Sequence, residues 1–232
     1  MKLAIMQPYF LPYIGYFQLI AAVDLFIVYD NIKYTKKGWI NRNRMLQNGK
    51  DALFSLPLKS GSDYLDVRDR ELAADFNREK LLKQIADAYR RAPCFSRVFP
   101  LIEGIVRHED NNLFKFIHHS IIRVCDYLGI ATTIKVSSDM AIDHGLKSQD
   151  KVLALCVAAG ADSYTNAIGG MDLYSRDAFR GRGVELNFIR SRPFDYPQYG
   201  NEFIPWLSIM DVMMFNPIEE IMGNAITSFD FV

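Results

Sequence analysis

The sequence predicts an α/β fold of three layers, in which helices cover a mainly parallel sheet and a helical insertion interrupts the alternation. Three observations predict it. A strand, a turn, a helix and a second strand follow one another within residues 2–30, amphipathic helices dominate residues 70–128, and strands and helices alternate again from residue 131. Half of the 232 residues are hydrophobic, which is enough for a packed core.

The first unit consists of "KLAIMQP", "IGYFQLIAAV" and "DLFIVYD". The opening segment barely alternates between apolar and polar residues, so it predicts a strand that is buried on both faces. The second segment has helical character, and the third is a β-rich run that ends at Asp30. This order predicts two parallel strands joined by a right-handed crossover.

The middle of the chain predicts an insertion. Residues 31–50 are basic and predict a loop at first, and "ALFSLPL" then predicts a return to strand. Two amphipathic helices follow, of which Pro93 ends the first, while an Asn cap and Gly129 bound the second. We expect these helices to form an annex over about 70–128, inserted in a single domain of residues 1–232.

Alternation resumes in the last part of the chain. "ATTIKVSS", "DSYTNAIGG" and "VELNFIR" predict strands, and "DLYSRDAFRGRG" predicts a short helix. "SQDKVLALCVAAGA" predicts a helix capped by Ser148 and closed by Gly160. The tail "IPWLSIMDVMMFNPIEEIMG" predicts one or two helices, with Ser208 as an N-cap and Asp211 three residues later in a box-like pairing.

Charge and cysteine usage argue against several classes of protein. Lys plus Arg and Asp plus Glu are equal at 27 each, which argues against a nucleic-acid or membrane surface over the whole chain. Three widely spaced cysteines without a CxxC pair, no signal-peptide pattern and no bilayer-length apolar run predict a cytoplasmic protein. No metal-spaced cluster is present, so the sequence predicts no metal site, and it identifies neither a cofactor nor an oligomeric state.

The first candidate site is the turn after the opening strand, which contains Gln7, Tyr9, Pro12 and Gly15. Ligands of α/β sheets bind beyond the carboxyl ends of the strands, where this turn is expected. Pro12 favours an extended Leu11, and Gly15 allows a close approach of the backbone to a ligand or a strand. The alternative is a rigid turn packed by aromatic side chains.

The same strand, turn and helix resemble those of nucleotidyltransferases and pantothenate synthetase-like enzymes, which suggests a Rossmann-like, nucleotidyltransferase-like sheet. The histidines that hold phosphate in those enzymes are absent here, so their phosphate chemistry is not carried over.

The second candidate is the basic segment "KYTKKGWINRNR". Six cationic residues lie from Lys33 to Lys50, and this stretch contains no acidic residue. Arginines bind phosphate oxygens, asparagines bind sugar or base edges, and a tryptophan offers a stacking face. We therefore expect a small-molecule substrate, such as a nucleotide-sugar, to contact Lys37, Trp39, Asn41, Arg42, Asn43 and Arg44. The alternatives are an exposed basic hairpin and, less favoured by the short patch, contact with RNA.

A third candidate is "TNAIGGMDLY", in which Asn166, Gly169, Gly170 and Tyr174 follow a predicted strand. The glycine pair equally suits a plain turn. Asp30, at the carboxyl end of the second strand, is the predicted catalytic residue, as general base or polar anchor. Gln7 is the second predicted catalytic residue and would orient the substrate.

Six blocks in this order resemble the WbqC-like protein family. They are "QPYFLPYIGYF", "VDLFIVYDNIKYTKKGWINRNR", "YRRAPCF", "LGI…SS", "GADSYTNAIGG…Y" and "YPQYGNEFIPWLSIMD", and they cover nearly the whole chain. Relatives often carry an aromatic-rich strand with tryptophans after the basic segment, where this chain has "ALFSLPLKSGSDYLDVRD".

The resemblance implies a bacterial protein of the kind often encoded with enzymes of O-antigen or other polysaccharide biosynthesis, without a settled reaction. The first hypothesis is a transferase that acts on a nucleotide-activated sugar or a similar activated intermediate. The alternative is a non-catalytic binding or scaffold protein of the same pathway. The residues alone do not decide between them.

Overall fold

The structure is a computed structural model, and it describes residues 1–62, 64–200 and 202–232. Its strands are β1 (Lys2–Met6), β2 (Leu25–Val28), β3 (Arg42–Gln47), β4 (Lys50–Ser55), β5 (Thr133–Val136), β6 (Ser163–Ala167), β7 (Glu185–Ser191) and β8 (Phe229–Phe231). Its α-helices are α1 (Ile14–Ala21), α2 (Arg78–Tyr89), α3 (Phe95–Val106), α4 (Leu113–Leu128), α5 (Ser148–Ala159), α6 (Arg176–Arg180), α7 (Ile209–Phe215) and α8 (Ile218–Glu220).

Six of the strands form one sheet in the order β5-β2-β1-β6-β7-β8. All neighbours are parallel except β7 and β8, which are antiparallel. Leu3 pairs with Leu25 and Met6 with Val28, so the predicted first unit of strand, helix and parallel strand is confirmed. The mainly parallel α/β sheet is confirmed with it. The strand order reverses beside β1, because β2 lies on one side of it and β6 on the other.

Alternate residues of the central strands supply two separate hydrophobic cores. Ala4, Phe26 and Val28 face a core that includes α1 and α4, while Leu3 and Ile27 belong to a second core with α5 and α6. A parallel strand that is covered on both faces has no solvated side, which explains the continuous apolar pattern of the opening segment. The three predicted layers follow from these two cores.

Helix α3 packs against both α2 and α4, and the three helices share the first core with the sheet. Asn112 accepts a hydrogen bond from the amide of Lys115, and Gly129 ends α4 with a φ of 74°, so both predicted ends of this helix are confirmed. Helix α3, which contains Pro100, was not predicted from the sequence. The extent of the annex and its place in a single domain stay predictions.

Two local predictions are wrong, and two strands were not predicted. The basic segment begins as the predicted loop, but its second half, Arg42–Gln47, is a strand that pairs with Lys50–Ser55 in a hairpin turned by Asn48 and Gly49, both with positive φ. Lys147 rather than Ser148 occupies the N-cap position of α5, and the Ser148 side chain makes no capping bond. Leu11 is left-handed, with a φ of 43°, rather than extended. The short strand β8 was not predicted.

The predicted N-cap of α7, Ser208, is confirmed, but the side chain of Asp211 has other partners. Ser208 accepts a hydrogen bond from the amide of Met210, at 3.2 Å. Asp211 instead points its fully buried carboxylate into a network, accepting hydrogen bonds from Tyr89 Oη (2.7 Å), Tyr196 Oη (2.7 Å) and Gln198 Nε2 (2.8 Å). Burial raises the pKa of this carboxyl group, and the three donors oppose that rise. The network ties α7 to α2 and to the segment that precedes α7.

The three cysteines are unpaired, and Cys125 and Cys156 are buried. In the described part of the chain, no helix has both the length and the apolar character that a membrane span requires.

Replacing Asp211 by Ala is expected to lower the free energy of unfolding by about 3–5 kcal/mol, because three buried donors lose their acceptor. Tyr196→Phe, which removes one donor, should cost about 1–3 kcal/mol. Asp87→Ala on the exposed face of α2 is the control and should stay within about 0.5 kcal/mol. Urea unfolding of the three variants measures this. Equal midpoints for D211A and D87A would contradict it.

Stability is expected to fall as the pH drops below about 6.5, the ordinary histidine value. Burial lowers the pKa of His118 and His119, and His108, stacked 3.9 Å from His119 between ring centroids, lowers the second further. As the pH falls, the unfolded chain binds protons at these two histidines before the folded protein does. Their contribution to the free energy of unfolding is therefore complete above about pH 6.5 and is lost as the pH falls through the lowered pKa values. Urea midpoints from about pH 5 to pH 8 measure it. An unchanged slope in the double variant H118Q/H119Q would refute the assignment.

Candidate functional site

The turn between β1 and α1 is held in place by side chains from two distant elements. The Leu11 carbonyl accepts hydrogen bonds from Asn43 Nδ2 (2.8 Å) on β3 and from Ser208 Oγ (2.7 Å) at the start of α7. The Pro12 carbonyl accepts a third from the amide of Ile209, at 2.7 Å. These bonds fix Leu11 in a left-handed conformation that is otherwise unfavourable for a branched side chain.

The tyrosines of this turn surround Gln7. Tyr16 Oη donates to the Gln7 carbonyl at 3.0 Å, and Tyr9 Oη donates to Gln7 Oε1 at 3.2 Å. Burial raises the pKa of Tyr9, Tyr13 and Tyr16, so these side chains are neutral phenols near pH 7. They offer ring faces rather than bases, and the hydroxyl hydrogens of Tyr9 and Tyr16 are already donated to Gln7.

The larger of two neighbouring cavities opens at the carboxyl ends of the parallel strands and has a volume of about 1140 Å³. Met6 and Gln7 line it at the end of β1, and Asn166 and Ala167 line it at the end of β6. These two strands flank the reversal of strand order, where α/β sheets bind ligands. Of the predicted site residues, this cavity brings together Gln7, Tyr9, Gly15, Asn166, Gly169, Gly170 and Tyr174.

The smaller cavity, of about 500 Å³, lies between the turn, the β3–β4 hairpin and the end of β7. Two exposed tryptophans line it, Trp39 (45% exposed) and Trp206 (47%), and the ring of Tyr13 meets Trp206 edge-on at 5.9 Å. Arg44 and Arg190 supply its positive charge. Its lining contains the predicted residues Tyr9, Pro12, Gly15, Trp39, Asn43 and Arg44. Both cavities share Tyr9, Tyr13, Gly15 and Ala167.

Asp30 lines neither cavity. Its carboxylate is buried, and it accepts hydrogen bonds from Ser137 Oγ (2.7 Å), the Ser138 amide (3.0 Å) and Ser138 Oγ (2.7 Å). These contacts anchor the turn that follows β5 to the end of β2.

Lys37, Asn41 and Arg42 also lie outside both cavities. The Arg42 guanidinium donates to the Lys37 carbonyl and, at 2.8 Å, to the Gly38 carbonyl. Asn41 accepts from Tyr34 Oη at 2.8 Å and donates to the Leu56 carbonyl at 2.7 Å. These hydrogen bonds connect the hairpin to the loop that precedes it.

The sequence-based prediction missed several polar lining residues, and three of them are Asn31, His144 and Lys151. Asn31 and His144 line the larger cavity, where the Asn31 amide nitrogen lies 2.9 Å from His144 Nδ1 and the Met140 carbonyl lies 3.0 Å from Nε2. Because a carbonyl only accepts, Nε2 carries the proton of this ring and Nδ1 accepts. Lys151 is the third and is only 4% exposed. The sequence signal for Lys151 was its place directly before the apolar run of α5, on the buried face of that helix.

Within the described ranges, no group of three or more His, Cys, Asp or Glu side chains is arranged to hold a metal ion.

The model of the WbqC-like protein family matches residues 7–222, which include the turn after β1, the hairpin and the Ser208–Asp211 segment. The chain belongs to the WbqC-like protein family. A relative in this comparison is the uncharacterized protein Rv1507c of Mycobacterium tuberculosis, 27% identical over 218 residues that make up 93% of each chain. No solved structure matches the WbqC-like chain significantly.

Gly15→Ala is expected to destabilise the protein by about 1–3 kcal/mol, because a β-carbon there would overlap the Tyr13 ring and lie 2.6 Å from Ser191 Oγ. Since Tyr13 lines both cavities, the variant should also disturb the site. Gly104→Ala is the matched control, because its β-carbon would meet no atom within 4 Å in helix α3. It should gain about 0.5–1 kcal/mol. Thermal and urea unfolding compare the two, and a Gly15 variant as stable as the Gly104 variant would contradict the close packing.

Proposed function

We propose that this WbqC-like protein is an enzyme of bacterial polysaccharide biosynthesis, of the O-antigen type. It would bind a nucleotide-activated sugar, or a similar activated intermediate, and transfer a group from it to an amino or hydroxyl acceptor. The observation that carries the proposal is the pair of adjoining cavities at the carboxyl ends of β1, β6 and β7, which share the turn after β1. One is lined by lysines and the other by tryptophans and arginines.

The sheet supports the choice of ligand. Counted along the chain, the six strands of the sheet stand in the order 3-2-1-4-5-6, which is the order of doubly wound nucleotide-binding folds. We therefore also propose that the fold is Rossmann-like and similar to that of nucleotidyltransferases. Such folds bind their nucleotides where the strand order reverses, and this is where the larger cavity opens.

The volumes and chemistry of the cavities support a ligand with two unlike parts. Single small-molecule sites are about 300–1,000 Å³, so two cavities of about 1140 Å³ and 500 Å³ can hold a ligand and an acceptor side by side. Trp39 and Trp206 offer ring faces for a base or a sugar. Gln7 would orient the reacting part of the ligand where the two cavities meet. Asp30 would act through the turn after β5 rather than as the general base.

A second candidate function is binding without catalysis, as a scaffold protein of the same pathway. It is favoured by the state of two candidate acid–base groups, Asp30 and His144. The Asp30 carboxylate is buried by its serine partners, and both ring nitrogens of His144 contact protein atoms. Neither group is free to move a proton to or from a ligand in this conformation.

Ligand binding tests the first proposal. We expect a thermal shift with at least one member of a panel of UDP-, GDP- and dTDP-linked sugars, and Trp39→Ala should weaken its binding about 5- to 100-fold by loss of stacking. Leu53→Ala, which removes a 58%-exposed side chain of the same hairpin outside both cavities, is the control. The proposal fails if no such ligand binds, or if both variants bind it as tightly as the wild type.

Catalysis is separated from binding by Gln7→Ala. A transferase predicts that this variant retains the ligand, forms less product and fails to restore polysaccharide synthesis in cells that lack the protein. A scaffold predicts full restoration.

A further inference from the structure

In the described part of the chain, Lys151 is a buried cation without a carboxylate partner. The residue is only 4% exposed, although it lines the larger cavity. Nζ donates one hydrogen bond, to the Asn31 carbonyl at 3.3 Å, and lies 5.0 Å from the centre of the Tyr29 ring. Among the residues that the structure describes, no carboxylate oxygen lies within 4.0 Å of it.

An ammonium group has three donors, so this contact leaves the donor capacity of Lys151 largely unused. Burying a charge without a counter-charge is costly, and burial accordingly lowers the pKa of Lys151, while Asp66 and Asp30 oppose the change from a distance. A bound anion would supply the missing acceptors and restore the favourable charge.

The other cations of the site are already engaged or exposed. Arg44 forms an ion pair with Asp51 at 3.2 Å and donates to the Trp206 carbonyl at 3.2 Å. Arg42 donates hydrogen bonds to carbonyl groups of the loop that precedes β3. An anion that enters the cleft therefore finds its strongest unmatched charge at Lys151 rather than on the hairpin.

The lining of the larger cavity carries a net positive charge. Besides the buried Lys151, it contains the exposed Lys33 and Lys147 and two carboxylates, Asp66 and Asp172. The three lysines outnumber the two acids by one, and Lys151 is the buried one of the three. Phosphoryl oxygens are strong acceptors for such ammonium groups.

We propose that Lys151 is the anion anchor of the larger cavity and binds a phosphoryl group of the ligand, with Lys33 and Lys147 at the rim. The identity of the whole ligand in this inference rests on the proposed function. The binding of an anion at Lys151 does not. It reverses the arrangement expected from the sequence, in which the basic hairpin holds the phosphates. The smaller cavity, with Trp39 and Trp206, then binds an uncharged ring of the ligand, such as a base or a sugar.

Calorimetry with the purified full chain tests the anchor, with inorganic pyrophosphate, UDP and uridine as probes. Lys151→Met should weaken pyrophosphate and UDP binding by about 10- to 100-fold through loss of a charge-assisted contact, and Lys151→Arg should retain most of it. Lys83→Met, at an exposed position of α2 outside both cavities, is the matched control and should change nothing. Uridine, which has no phosphate, should bind K151M and the wild type alike.

A second measurement needs no variant. Pyrophosphate should protect Lys151 of the wild type, and not Lys83, from an amine-modifying reagent followed by mass spectrometry. Unchanged pyrophosphate affinity in K151M, or no protection of Lys151, would overturn the anchor, as would a wild type that binds neither pyrophosphate nor UDP.

The results also separate the two proposals. If a nucleotide-linked sugar binds the wild type and K151M equally, the anchor is wrong and the proposed function stands. If pyrophosphate binding depends on Lys151 but no nucleotide-linked sugar binds, the anchor stands and the proposed function is wrong.

Discussion

The site depends on one backbone carbonyl. Leu11 is left-handed, and its carbonyl receives hydrogen bonds from Asn43 of the hairpin and Ser208 of the last helical region. Leu11 itself is fully buried, so neither bond competes with water, and both stabilise a conformation that the residue disfavours. Through this point the first strand, the hairpin and α7 are held in one arrangement. Tyr9 and Tyr13, on either side of Leu11, then form the boundary that both cavities share.

Three buried charged groups show how the fold separates structure from function. Asp211 and Asp30 each have a full set of donors within the protein, and each ties together elements that are distant in sequence. Lys151 is equally buried but has a single carbonyl partner, at a cavity wall. A satisfied buried charge specifies the fold, whereas an unsatisfied one at a cavity points to a ligand. Burial alone does not distinguish the two cases; the inventory of partners does.

Sequence patterns were most accurate where one element determines its own structure. The first strand-helix-strand unit and both ends of α4 follow from apolar spacing, an Asn cap and a C-terminal glycine. Patterns failed where distant contacts override local preference. Pro12 favours an extended Leu11, but side chains from β3 and α7 hold it left-handed. Helix α3 forms around Pro100 because its apolar face packs against α4 and α7.

The sequence by itself determined the α/β class, the parallel first unit and the place of the turn after β1, because these depend on periodicity and on residues adjacent in the chain. Only the tertiary structure decided which polar groups face a cavity. Asp30 and Lys151 are both polar residues beside apolar runs, yet Asp30 is enclosed by serines and Lys151 opens onto the cleft. That difference arises from the packing of β5 beside β2 and of α5 against the sheet, and no local pattern contains it.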